Sequence, residues 1–142
     1  MKKIECLVSR VYSINQCRTN PTTLFIYGDN GLRVGMSGQA IIREQENALG
    51  ICTKHKPTNE PDAFFSDEQY EDNCKLITKD FKRIEEYIEE KGFKKICFPF
   101  NGLASGRAEM HIRAPLTFCF LTEQLVKRWE FNNLQALRSK QF

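Results

Sequence analysis

No pair of cysteines in this chain is spaced to grip a metal. The six, Cys6, Cys17, Cys52, Cys74, Cys97 and Cys119, come no closer than the step from Cys6 to Cys17. A CxxC is therefore missing, and neither His55 nor His111 has a ligand-spaced companion, so no metal site is expected. Also lacking are the Gly-Lys-Ser/Thr of a P-loop, the GxGxxG of a dinucleotide fold, internal repeats, and any apolar run of membrane-spanning length. The opening residues carry no signal-peptide pattern. Several cysteines sit in apolar runs, where cysteine behaves as a small hydrophobe. The expectation is free thiols in a reducing, cytoplasmic setting, with no membrane partner and no cofactor. Charge of one sign is missing too. The 21 basic and 18 acidic residues are interspersed for a net +3, too even a balance to argue for nucleic acid. The basic stretch from Lys127-Arg128 to Lys140 reads as a solvated helix end.

What is present is the composition of an ordinary globular domain, 41% hydrophobic and 27% charged over 142 residues. One domain over 1–142 is expected, burying about two-thirds of its unfolded surface. Ile4 to Ile14 alternates loosely, as one long strand or two short ones. Thr22 to Tyr27 is rich in β-branched and aromatic residues and predicts a strand. Residues 38 to 47 suit a short helix, and Leu49 to Thr53 another strand. After the proline-bearing loop 55–66, Ser66 with Gln69 forms a capping-box pattern. Tyr70, Cys74, Ile77, Phe81, Ile84 and Ile88 then recur in steps of four and three, one face of a long amphipathic helix that Lys91-Gly92 closes. "KKICFPF" is a strand stopped by Pro99. Ala114 to Trp129 reads as a last helix with Pro115 in its first turn. Strand, helix, strand across 49–98 implies a parallel crossover and an α/β class.

Two loops of small residues stand directly after strands. "GDNGLRVGMSGQA" follows Leu24-Phe25-Ile26-Tyr27, and "NGLASGRA" follows the Pro99 strand. In a parallel sheet both lie at the carboxyl edge, where open α/β sheets bind ligands. Sparse side chains leave backbone amides bare, and bare amides at a helix start favour anions. Two such cradles suit a pair of phosphates. The plain alternative is a pair of flexible surface turns, which Asp29-Asn30-Gly31 makes well.

The blocks "GDN…VGMSGQAIIRE", "ICTK" and "ICFPFNGLASGRA", in this order over about residues 24 to 125, resemble a divergent macrodomain. The likeness is greatest to the branch of terminal ADP-ribose glycohydrolases and DNA ADP-ribosyl hydrolases, and it extends to small phage and bacterial proteins. The resemblance implies a three-layer sandwich around a mixed, largely parallel sheet, and an ADP-ribose-type nucleotide as partner. Gly35, Met36, Ser37 and Gly38 would wrap the distal ribose and a phosphate. Asn30 would face a ribose, Asp29 the adenine amino group. Gly102 to Gly106, Leu103 among them, would form the second phosphate loop, with Ser105 offering a hydroxyl, and Thr53, Asn101 and Arg107 would also meet the ligand. Lys54 corresponds to a lysine that attacks the anomeric carbon in the glycohydrolases. An amine does this only when burial or nearby charge keeps it partly neutral.

The matching branch takes a carboxylate from its second loop for proton transfer. Here Ser105 or Gly106 stands in that place and Glu109 is the nearest acid, which favours binding over turnover. The leading expectation is thus a nucleotide-binding module, in a phage setting one that sequesters a nucleotide immune signal. The first alternative is an ADP-ribosyl hydrolase using Lys54 and Glu109, with nucleic acid a partner only if ADP-ribosylated. The second is a protein–protein inhibitor whose loops merely turn the chain. Arg33, Arg43 and Arg107 offer planar forks for phosphate or plain surface charge. Phe64 and Phe65 could stack on a purine or anchor their loop to the core, and Lys54 could be a solvated strand end.

Overall fold

Leu24 and Ile26 point into one hydrophobic core, while Phe25 and Tyr27 between them point into another. That alternation is the two-residue period of a strand buried on both faces. In the computed structural model, which describes residues 4–134, the elements are β1 (Glu5–Ser9), α1 (Ile14–Thr19), β2 (Thr23–Asn30), β3 (Ala48–Lys54), α2 (Tyr70–Lys91), β4 (Lys95–Pro99), α3 (Met110–Arg113) and α4 (Pro115–Trp129). The four strands form one sheet in the order β1-β4-β2-β3. Every pairing is parallel. The class is α/β, and the mixed sheet expected from the sequence is replaced by an all-parallel one among the described residues. Each return from β1 to β2, β2 to β3 and β3 to β4 crosses over a face of the sheet, so no hairpin exists to reverse a strand.

The face of Leu24 and Ile26 is covered by α2 and α4. Ile77, Phe81 and Ile84 of α2 and Leu121, Leu125 and Trp129 of α4 pack there with Ile96 and Phe98 of β4. Burying each of these α2 side chains is worth roughly 2 kcal/mol, which is why the stripe read from the sequence forms one uninterrupted helix. Its end is as expected: Gly92 takes the left-handed conformation, φ 69°, that caps the last turn. Its start differs. Ser66 caps a 3-10 turn, Asp67–Gln69, by accepting from the Glu68 amide at 3.3 Å, and the α-helix begins only at Tyr70. The opposite face is thinner. Cys17 of α1 and Ile42 fill it against Phe25, Tyr27, Ala48 and Cys97.

Two further expectations are corrected. Residues 4 to 14 make one short strand, and the chain then turns into α1, capped by Ser13, whose hydroxyl accepts from the Gln16 amide at 3.0 Å. The segment 38–47 is a 3-10 helix only over Gly38–Ile42, because Asn47 is drawn away to bind three carbonyls, those of Cys17, Asn20 and Thr23. The basic stretch leaves the helix at Glu130, φ 60°, and its residues 135–140 lie outside those described, as do 1–3 and 141–142 of the expected domain.

The outer edge of β3 is closed by side chains. Arg83 Nη2 at 2.9 Å and Arg33 Nη1 at 3.4 Å donate to the Gly50 carbonyl, and Asp80 Oδ2 accepts from the Cys52 amide at 2.7 Å. These are two of the ladder groups that a fifth parallel strand would pair. All six cysteines are free thiols, and among the described residues no helix is long and apolar enough to cross a membrane.

Candidate functional site

The β2–β4 ladder runs only from Thr23↔Lys95 to Phe25↔Cys97, although β2 continues to Asn30 and β4 to Pro99. Beyond that point side chains bridge the two strands. The Tyr12 hydroxyl lies 2.7 Å from the Ile26 carbonyl and 3.0 Å from that of Cys97. One step further, Gln39 Oε1 accepts from the Gly28 amide at 3.0 Å and its Nε2 donates to the Gly102 carbonyl at 3.2 Å. The chain leaving β2 goes to the Phe25 face, where Ile42 is buried; the chain leaving β4 goes to the Leu24 face, where Leu103, Met110 and Ala114 are buried. Adjacent strands whose exits part to opposite faces form a topological switch point, the place where open α/β sheets bind ligands.

The first loop, residues 31–37, is shaped from beneath. Asn30 Oδ1 accepts from the Leu32 amide at 3.0 Å and Asn30 Nδ2 donates to the Val34 carbonyl at 2.8 Å. Arg43 donates from Nε to the Gly35 carbonyl at 2.8 Å and from Nη2 to that of Val34 at 3.2 Å. The same guanidinium forks onto Asp29, at 2.5 Å to Oδ1 and 2.9 Å to Oδ2. Arg33 adds a bond to Oδ2 at 3.2 Å and the Asn30 amide one to Oδ1 at 2.8 Å. Burial works to raise the Asp29 pKa, but these donors outweigh it and hold the carboxyl below its ordinary value. Gly35 at φ 97° and Gly38 at φ 62° occupy backbone that other residues adopt only with strain. Met36, Ser37 and both glycines are exposed, and the amides of Gly35, Met36 and Ser37 meet no protein acceptor among the described residues.

The second loop is pinned at Leu103. Asn133, fully buried, accepts from the Leu103 amide at 2.7 Å and donates to its carbonyl at 2.9 Å, as a neighbouring strand would. Gly102 at φ 78°, Ala104 at φ 73° and Glu109 at φ 48° all lie in the left-handed region. Two of these are not glycine, a strain of about 1 kcal/mol each that the surrounding bonds hold in place. Ser105 is buried, while Asn101, Gly106 and Arg107 are exposed. Arg107 Nη1 reaches across to Ser37 Oγ at 3.3 Å. The two glycine loops therefore touch.

Lys54 closes β3 at an irregularity: Asp29 pairs with Cys52 but Asn30 with Lys54, leaving Thr53 as an extra residue. Its side chain is buried, not solvated. The ammonium donates to the Thr58 carbonyl at 2.6 Å and lies 4.4 Å from the centre of the Phe64 ring. Arg113 stacks on the same ring at 3.6 Å. Burial lowers the Lys54 pKa; Glu109 opposes this and Arg113 and Arg107 reinforce it. Glu109 itself accepts from Arg113 Nε at 3.1 Å.

The sequence-predicted residues thus divide. Gly35, Met36, Ser37, Gly38, Asn101, Gly106 and Arg107 are exposed around the crevice, with Gly102 and Ser105 buried beside them and Lys54, Glu109 and Arg113 close enough to interact by charge. Asp29, Asn30, Thr53 and Leu103 turn inward. The Asp29 oxygens are taken by arginines, Asn30 by its own loop, and Thr53 donates its hydroxyl to the Asp29 carbonyl at 3.1 Å. In this structure Asp29 and Asn30, expected at adenine and ribose, support the first loop, and Leu103 is held by Asn133. Arg33 and Arg43 each hold a buried carboxylate, Asp29 or Asp80, whereas Arg107 reaches across the crevice to Ser37. Phe64 and Phe65 are buried, anchoring their loop rather than offering a stacking face. Sequence reasoning missed Gln39 and Asn133. Gln39 sits inside "SGQA" and carries no signal beyond its place in the loop, and Asn133 lies thirty positions from its partner. Among the described residues no group of three or more His, Cys, Asp or Glu is placed to hold a metal.

The model of a family of unknown function, DUF7831, matches residues 7–124, and the chain belongs to that family. No curated protein and no solved structure matches the chain.

Proposed function

We propose that this family member is a macrodomain-like module that binds ADP-ribose or a related NAD-derived nucleotide across the β2–β4 crevice. The observation that carries the reading is the contact between the two glycine loops at the switch point, Arg107 to Ser37 and Gln39 to Gly102. One guest can then meet amides from both loops and the Arg107 fork. A diphosphate suits this arrangement, since oxoanions take several N–H donors at once and guanidinium binds them in a planar, two-point manner. Binding without turnover, as in sequestration of a nucleotide immune signal in the cytoplasm, needs nothing more of the site. Calorimetry with ADP-ribose, NAD and cyclic ADP-ribose isomers is the test. Saturable heat with one of them that Arg107→Gln weakens supports the reading; no heat with any, at high protein concentration, ends it.

Lys54 supports a second reading, removal of ADP-ribose from a modified protein or nucleic acid. A buried amine with a lowered pKa is a better nucleophile at neutral pH than a solvated one, and Glu109 is the nearby carboxylate for proton transfer. Release of ADP-ribose from a modified substrate, lost in Lys54→Ala, would establish it. Release that persists in Lys54→Ala would remove it.

A further inference from the structure

At the outer edge of β3, away from the second glycine loop, a concavity of about 220 Å³ is walled by Tyr27, Asp29, Arg33, Arg43, Gly50 and Arg83. Three guanidiniums meet two carboxylates there. Asp29 binds Arg43 and Arg33; Asp80 binds Arg33 at 2.5 Å and faces Arg83 at 3.6 Å. Both carboxylates are almost wholly buried, whereas the Arg33 and Arg83 side chains are 38% and 46% exposed. The wall therefore carries one surplus positive charge, on its open side. The donors are divided in the same way. Arg43 spends its fork and Nε on Asp29, Gly35 and Val34. Arg33 Nε, Arg83 Nε and Arg83 Nη1 have no acceptor among the described residues. Arg33 and Arg83 both donate to the single Gly50 carbonyl, which holds two like charges side by side with Asp80 shared between them. Such a pair attracts a small anion strongly, because each new N–H···O bond also relieves repulsion. The absence of a side chain at Gly50 keeps this wall compact; a Cβ there would lie 2.6 Å from that of Asp29.

The geometry points to a second anion site, in which Arg33, from the underside of the first glycine loop, and Arg83 hold a phosphate-class oxoanion at the β3 edge, independent of the second glycine loop and of Arg107. The guest is either free phosphate or the end group of a phosphate monoester. The intact chain, labelled so that arginine Nε–H signals are resolved, is titrated by NMR with inorganic phosphate, with glycerol 3-phosphate, and with chloride at matched ionic strength. The expected result is a saturable shift of the Arg33 and Arg83 signals with phosphate and none with chloride. Arg83→Gln weakens it roughly tenfold, the loss of a charged two-point contact, and Arg107→Gln leaves it unchanged. Tighter binding of glycerol 3-phosphate than of phosphate identifies a monoester as guest; the reverse identifies the free ion. Arg83→Lys, which keeps the charge but not the fork, gives an intermediate affinity and serves if the glutamine variant does not fold. Absence of a shift, or a linear response equal to that of chloride, overturns the site. A phosphate response lost in Arg107→Gln but retained in Arg83→Gln also overturns it, since the ion then belongs to the loops.

Discussion

Arg43 joins a buried carboxylate to the first glycine loop: its fork holds both oxygens of Asp29, and its Nε holds the Gly35 carbonyl at 2.8 Å. A strand position is thereby linked to the loop six residues further on, and the loop's curvature is fixed before any ligand arrives. Such preorganisation lowers the entropic cost of binding.

Removing either partner breaks a buried pair: Asp29 without Arg43 keeps only Arg33 and the Asn30 amide, and Arg43 without Asp29 keeps the Gly35 and Val34 carbonyls. Arg43→Ala and Asp29→Ala should each lower stability by about 3–5 kcal/mol, the range for breaking a buried pair. The double variant should lose clearly less than their sum, since the two share one interaction. Urea unfolding of the four proteins gives the coupling directly; strict additivity would mean the pair acts as two independent residues.

The same carboxylate sets an acid limb. The folded-state pKa of Asp29 is lowered from 3.8, so the folded protein resists protonating it and its contribution is fully present above that value. Stability should fall as pH drops below about 4 through the lowered folded pKa. The fall should be shallower in Asp29→Asn, which has no charge to lose. Unfolding free energies between pH 2 and 6 compare the two slopes.

Gly50→Ala tests the closed edge of β3. The added carbon meets Asp29 Cβ at 2.6 Å and Oδ2 at 2.7 Å, and a strand in a parallel sheet has little room to move. A loss of about 2–3 kcal/mol is expected, with the arginine cluster displaced. Gly106→Ala, where a Cβ meets nothing, should cost less than about 0.5 kcal/mol.

Much of the fold was legible. β2, β3 and β4 are legible as short apolar runs, α2 as the four-and-three spacing of its apolar residues, and α4 through Pro115 in its first turn; the position of both loops at one sheet edge follows from parallel strands. The site was legible only in part, for a physical reason. Composition marks where backbone is bare, but not which side chains bend back to support it. Asp29 and Asn30 look like ligand-facing polar residues in sequence, and only three-dimensional pairing with Arg43 and Val34 assigns them to the scaffold. Asn133 had no local pattern, because a side chain that imitates a strand leaves no trace in the sequence around it. Lys54 was found through resemblance, and its burial comes from the 55–63 loop folding over it.

That burial predicts unusual amine chemistry. With its pKa lowered from 10.5, chiefly by burial, the folded state disfavours the Lys54 ammonium. Its drag on stability is therefore present at neutral pH and relieved as pH rises through the lowered folded value towards the unfolded one. NMR titration of reductively methylated protein should show one lysine signal moving at lower pH than the rest and missing from Lys54→Arg. A common midpoint for all lysines would deny Lys54 that character.

The convergence of the two loops on one guest is tested most directly by backbone amide NMR during titration with ADP-ribose. The account predicts that Gly35, Met36, Ser37 and Gly38 shift together with Gly106 and Arg107, along one saturation curve, while Gly50 stays still. Shifts confined to one loop, or spread evenly over the molecule, would contradict it.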